Sequence, residues 1–68
     1  MNIDIRKSIK NNFKDSKLEE IKEAINSEIA DKDEITLPGL GVFFEILWIN
    51  SSIDEKNTIV SKIKKELS

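Results

Sequence analysis

The stretch LPGLGVFFEILWIN, residues 37–50, holds both glycines, the single proline, the single tryptophan and two of the three phenylalanines of this 68-residue chain. Outside it the apolar residues are spaced out among Lys, Glu, Asp, Asn and Ser, so any fold has to be organised around this one continuous run. A chain this short buries only roughly 60% of the surface it exposes when unfolded, so a core must draw on nearly every large apolar side chain available. There is no cysteine and no histidine, which excludes disulfides, a thiolate nucleophile, an imidazole base and the usual zinc sites. Packing must hold the chain together, alone or with help from self-association.

On either side of the run the spacing is helical. Ile5, Ile9 and Phe13 recur every four residues and predict a first helix over about residues 2–13, with Ile3 joining the row at its start. Ser16 and Glu19 stand at capping-box spacing, and Leu18, Ile21, Ile25 and Ile29 then make an apolar stripe whose other faces carry Glu19, Glu20, Lys22, Glu23 and Glu28. Asp31-Lys32-Asp33-Glu34 breaks that pattern and is expected to be a solvated loop. Ser52 and Glu55 repeat the capping-box spacing, and Ile59, Ile63 and Leu67, with Val60 beside them, predict a last helix over about residues 53–67. Lys62, Lys64 and Lys65 fall in its final turns, where positive charge meets the negative end of the helix dipole.

The run itself admits two readings. As a hairpin, Pro38-Gly39 joins Ile35-Thr36-Leu37 to Val42-Phe43-Phe44, but two strands without a third are at best marginally stable in water. As a helix from about Gly39 to Asn50 it is apolar all round except for Glu45, the pattern of a buried central element. Its β-branched and aromatic residues cost only about 0.5 kcal/mol each in helix propensity, less than the roughly 1.5 to 3 kcal/mol that burying each large side chain returns. The helix is therefore preferred. It gives a single all-α domain over residues 1–68, a small bundle of three to four helices around a central apolar one; the alternative is an α+β fold with a short hairpin around residues 35–48.

On that helix Phe43, Leu47 and Asn50 share a face above Gly39 and Leu40, while Phe44 and Trp48 lie on an adjacent one. One face is expected to receive the second and last helices, the other the first helix or a second subunit. Gly41 either admits a close-approaching backbone or, with Gly39, merely permits a turn before the helix begins. Should the other helices leave the run partly bare, Phe44 and Trp48 are the candidate self-association residues, and a symmetric homodimer is the simplest cover.

Charge narrows the function. The net charge is −2, unevenly divided: +3 over residues 1–17, −6 over residues 18–45 and +1 over the remainder. Such a chain has no general attraction to phosphate backbones, so nucleic-acid binding would have to be local or follow assembly. Arg6, Lys10, Lys14 and Lys17, at intervals of four, four and three, form the one basic row suited to phosphate contact. The plainer and favoured reading is a solvated face, or a set of partners for the acidic second helix. Glu45 is the one carboxylate placed where burial could shift it, yet no residue at useful spacing gives it a partner for acid-base chemistry. It is expected to emerge at the bundle edge or pair with a lysine. No enzyme, cofactor, metal site or small-molecule substrate is expected. No apolar run reaches the roughly 20 residues that cross a bilayer, and the polar N-terminus lacks a signal-peptide core, so a cytoplasmic protein is expected.

Leu37-Pro38-Gly39-Leu40-Gly41-Val42, followed by Phe44-Glu45 and Trp48 and preceded by Asn2-Ile3-Asp4-Ile5-Arg6-Lys7, resembles the small acid-soluble spore protein I family of endospore-forming bacteria. The likeness runs over essentially the whole chain. It implies a minor protein of the spore core and carries over no catalytic or ligand-binding residue. The sequence departs from the family pattern in its Ser/Ile-rich stretch over residues 48–53 and in Phe43, where a smaller aliphatic residue is usual. The major DNA-coating spore proteins are a different family whose motifs are absent. A weaker likeness, Gly39-Leu40-Gly41-Val42-Phe43 to the Gly-x-Gly-x-Phe turn of histone-like DNA-binding proteins, lacks the long basic arm those proteins need.

Overall fold

A computed structural model describes residues 4–68 of the chain. Four α-helices follow in order: α1 (Ile5–Phe13), α2 (Leu18–Asp31), α3 (Leu37–Ile49) and α4 (Ile53–Leu67), with a turn of 3-10 helix (Glu34–Thr36) leading into α3. No strand occurs among the described residues, so the hairpin alternative is not realised. The parts of the first-helix expectation that fall on residues 2 and 3 lie outside those described.

The helix starts are set by local chemistry. Asp4 caps α1, its carboxylate accepting from the Lys7 N–H at 3.0 Å. The start of α2 is one residue later than the Ser16–Glu19 spacing predicts. The Ser16 N–H is already donated to the Phe13 carbonyl at 3.1 Å, closing the end of α1, so Lys17 becomes the N-cap. Glu20 rather than Glu19 then reaches back to the Lys17 N–H at 3.1 Å. That cap is one-sided, because a lysine side chain has no acceptor with which to answer. At α4 the box is complete: Ser52 Oγ accepts from the Glu55 N–H at 3.1 Å, and the Glu55 carboxylate accepts from the Ser52 N–H at 2.8 Å.

The expected loop at residues 31–34 is tighter than a loop. Asp31 closes α2, Lys32 turns the chain in a left-handed conformation at φ 54°, and Asp33 caps the 3-10 turn by accepting from the Ile35 N–H at 3.0 Å. The Thr36 hydroxyl donates to the Asp33 carbonyl at 2.8 Å, tying the turn to its own start. Helix α3 consequently begins at Leu37, two residues before the expected Gly39. Pro38 sits in its first turn, where a missing N–H costs nothing and the fixed φ suits the helix. Both glycines are therefore inside the helix rather than at a turn ahead of it.

Helix α3 is the axis of the molecule. α1 lies along one flank, with Phe13 meeting Phe43 edge-on at 5.2 Å between ring centres, while α2 and the 3-10 turn lie along another. Both neighbours come close at Gly39, where a Cβ would stand 3.6 Å from Glu28 Oε1 and from Ile9 Cδ1; at Gly41 nothing would lie within 4 Å. The backbone approach anticipated at Gly41 is not found, and at Gly39 the neighbours are side chains in ordinary contact. The expectation for α4 is also corrected. It does not share a face of α3 with α2 but meets only the C-terminal end of α3, where Lys56 Nζ stands 5.4 Å from the Trp48 ring centre.

The outcome is an open bundle. Val42 is the only buried apolar residue among those described, whereas Leu47, Val60 and Ile63 are about half exposed and Leu67 is nearly bare. The accessible surface is 6107 Å², against about 4,400 Å² for a monomeric protein of this mass. The radius of gyration is 13.4 Å, against about 11 Å for a compact chain of this length.

Candidate interaction surface

Arg6 and Glu45, thirty-nine positions apart, form the main electrostatic feature. Arg6 Nε donates to Glu45 Oε1 at 2.7 Å and Arg6 Nη2 to Oε2 at 2.9 Å, a two-pronged pair that locks α1 to α3 in register. The hydrogen bond from Arg6 holds the Glu45 carboxyl below its ordinary range, outweighing the slight desolvation that opposes it. The expectation of a lysine partner is corrected to Arg6, whose planar fork matches a carboxylate as a lysine cannot. A carboxylate answered in this way is an ionised strut.

The pairing also alters the basic row. Arg6 and Lys10 lie on α1, Lys14 stands just beyond its end and Lys17 caps α2, so the four cations follow a helix and then a bend. Arg6 is engaged by Glu45, and Lys10 and Lys14 border an apolar groove. Phe44 and Trp48 come together as their spacing predicts, stacked with ring centres 5.8 Å apart and 28° between planes. Lys56 covers part of the indole, a cation–π contact, and Phe44 stays 44% exposed.

What the sequence did not reveal is the groove itself. It is a depression of about 430 Å³ between α1, α2 and the C-terminal half of α3, floored by Ile9, Phe13, Ile21, Ile25, Phe43, Ile46 and Leu47. Each of these belongs to a predicted apolar stripe, but only the angle between the three helices leaves them facing a space that no α4 residue enters. On the far side of Leu47 a shallow cleft runs on to Ile59 and Thr58 of α4. No group of acidic residues that could hold a metal ion occurs among the described residues, and no helix there is long and apolar enough to cross a membrane.

Fold and surface together define a small, highly charged all-α protein whose apolar side chains are displayed as much as packed. Residues 3–67 match the family described as small, acid-soluble spore protein I, and the chain belongs to it. A protein of that name from Halalkalibacterium halodurans is 34% identical over 67 residues, covering 98% of both chains. Another from Shouchella clausii is 31% identical over 68 residues, covering 100% of this chain and 99% of its own, and one from Bacillus cytotoxicus is 30% identical over 98% and 96%. No solved structure matches. The family resemblance read from LPGLGV and its neighbours therefore holds. The likeness to the histone-like turn does not survive, because residues 39–43 are helical.

Proposed function

We propose that this spore protein acts in the spore core as a non-enzymatic packing and interaction protein, working through exposed apolar and charged faces. The observation that carries this reading is the open bundle: Val42 is the one buried apolar residue among those described, and the accessible area is far above that of a compact monomer. Two further features support it. Glu45 is spent on Arg6, and the exposed Phe44 beside Trp48 lies next to the groove residue Leu47 on the helix surface. The direct test is to quantify the protein by mass spectrometry in growing cells and in purified dormant spores. Accumulation in spores and absence during growth is expected, and the reverse distribution overturns the role.

A second reading, a nucleic-acid contact through Lys10, Lys14 and Lys17 with Arg6 at its end, is favoured only by the exposure of those lysines. It predicts a mobility shift of duplex DNA at low salt that disappears when Lys10 and Lys14 are both replaced by Glu. A shift that survives the replacement, or none at low salt, removes this reading.

A further inference from the structure

We infer that two copies of this chain form a two-fold symmetric dimer in which α4 of each lies in the groove between α1, α2 and α3 of the other. This rests on the packing and interaction reading above and names the partner it requires: a second copy of the chain.

The groove and the ridge that fits it are on the same molecule. The groove offers Ile9, Phe13, Ile21, Ile25, Phe43 and Leu47. α4 offers Ile59, Ile63 and Leu67 at intervals of four, with Val60, Ile63 and Leu67 exposed by 49%, 45% and 79%. That is the spacing with which an amphipathic helix anchors itself in an apolar groove. The chain's own α4 does not fill the groove. The Asn50 amide donates to the Ile46 carbonyl at 2.8 Å, and the Ser51 hydroxyl to the Leu47 carbonyl at 2.6 Å; with Lys56 over Trp48, these hold the joint so that α4 leaves the end of α3 in another direction.

Leu47 lines both the groove and the cleft that leads past Ser51, Asp54, Glu55 and Thr58 to Ile59, so ridge and groove adjoin at Leu47 across a short polar strip. In the two-fold arrangement the axis runs near Leu47, and each ridge lies in the other's groove. Phe44, three residues before Leu47, then borders the contact. Area points the same way. The excess over a compact monomer is about 1,700 Å² per chain, so a dimer that buried it would hide about 3,400 Å² in total, within the roughly 2,000–5,000 Å² of permanent homodimers. Charge is divided: Lys10 and Lys14 rim the groove, and Glu66, three residues after Ile63 and seven after Ile59, flanks the ridge on one side, while Lys64, four residues after Val60, flanks it on the other.

The test is sedimentation equilibrium of the intact chain at high micromolar concentration. Twice the chain mass of 7.8 kDa is expected. Ile63→Glu should weaken the dimer by at least about ten-fold while leaving the far-ultraviolet helix signal unchanged, since this side chain is half exposed in its own chain and Glu is a good helix former. A single-chain mass for the unaltered protein, or a dimer that Ile63→Glu does not weaken, overturns the proposal. A chain that stays monomeric alone and gains mass only with added duplex DNA overturns it also, in favour of a nucleic acid as the occupant.

The arrangement has its own readout, because the chain has no native cysteine. Mixed Lys14→Cys and Glu66→Cys chains should give the hetero-disulfide, α4 of one copy beside α1 of the other. Disulfides of Glu66→Cys with itself alone would mean α4 packs on α4, and would overturn the groove as the site. A monomer leaves the spore role standing, and absence from spores leaves the dimer standing, so the two readings fail separately.

Discussion

Gly41 stands in the middle of α3 with nothing within 4 Å of where a Cβ would project. Glycine costs a helix interior about 0.5–1 kcal/mol relative to alanine, so in the isolated chain Gly41→Ala should stabilise by that amount, read as a higher urea midpoint at unchanged slope. A loss instead would mean that the single chain packs something against that site. A second residue-scale consequence concerns acid. The Glu45 carboxyl is held below its ordinary value near 4.5 by the hydrogen bond from Arg6, and the Glu55 carboxyl by the backbone hydrogen bond from Ser52. A carboxylate with a lowered folded pKa stabilises the fold fully above its unfolded value, and that contribution is lost as pH falls through the folded one. Thermal midpoints should therefore be flat from pH 7 to about 5 and fall below about 4.5, and Glu45→Gln should make that fall shallower. The effect is modest, because Arg6 and Glu45 are 66% and 43% exposed and solvent screens their pairing. Sequence spacing could mark Glu45 as a charge within an apolar run, but not its partner, because Arg6 comes to it only through the crossing of α1 over α3.

At the scale of elements, what is local was legible and what depends on angles was not. Ser52, Glu55 and the four-residue spacing of Ile59, Ile63 and Leu67 predicted α4 to the residue, since cap and stripe are both properties of one helix. The start of α2 was misplaced by one because the Ser16 N–H is taken by the end of α1, a competition that a capping motif alone does not reveal. The docking of α4 was misjudged because an apolar stripe announces that a helix wants cover, not which surface supplies it. That leaves α4 the least supported helix of the single chain and α3 around Val42 the best. Amide hydrogen exchange should reflect this at low protein concentration, with α4 exchanging fastest and the middle of α3 slowest. Raising the concentration should protect α4 far more than the N-terminal half of α3, since only the partner's groove covers its stripe. Uniform protection of all four helices at high dilution would mean that the bundle closes on its own.

The whole molecule carries 13 acidic and 11 basic residues, and its isoelectric point is about 5.1. Near that pH the charges cancel while Leu47, Val60, Ile63 and Leu67 remain on display, the condition in which exposed apolar surface promotes association most readily. Further acidification changes the balance in one direction only, because every carboxylate that protonates leaves a lysine or arginine uncompensated. With all 13 neutralised, 11 cations remain on 68 residues, and the same step removes the Glu45 strut and any pairing of Glu66 with a lysine rim. Self-repulsion of that size opposes both a dimer and larger aggregates, even as it loosens the bundle. A light-scattering titration should therefore show most association near pH 5 and dispersed single chains at about pH 2, where the carboxylates are protonated. About 1 M salt, which shortens the screening length to roughly 3 Å, should bring the scattering back at the same pH. Recovery with salt would identify charge as what keeps the acidified chain in solution. Precipitation at pH 2 in low salt would mean that the apolar surface outweighs the charge, and would break the link between this composition and the acid solubility for which its family is named.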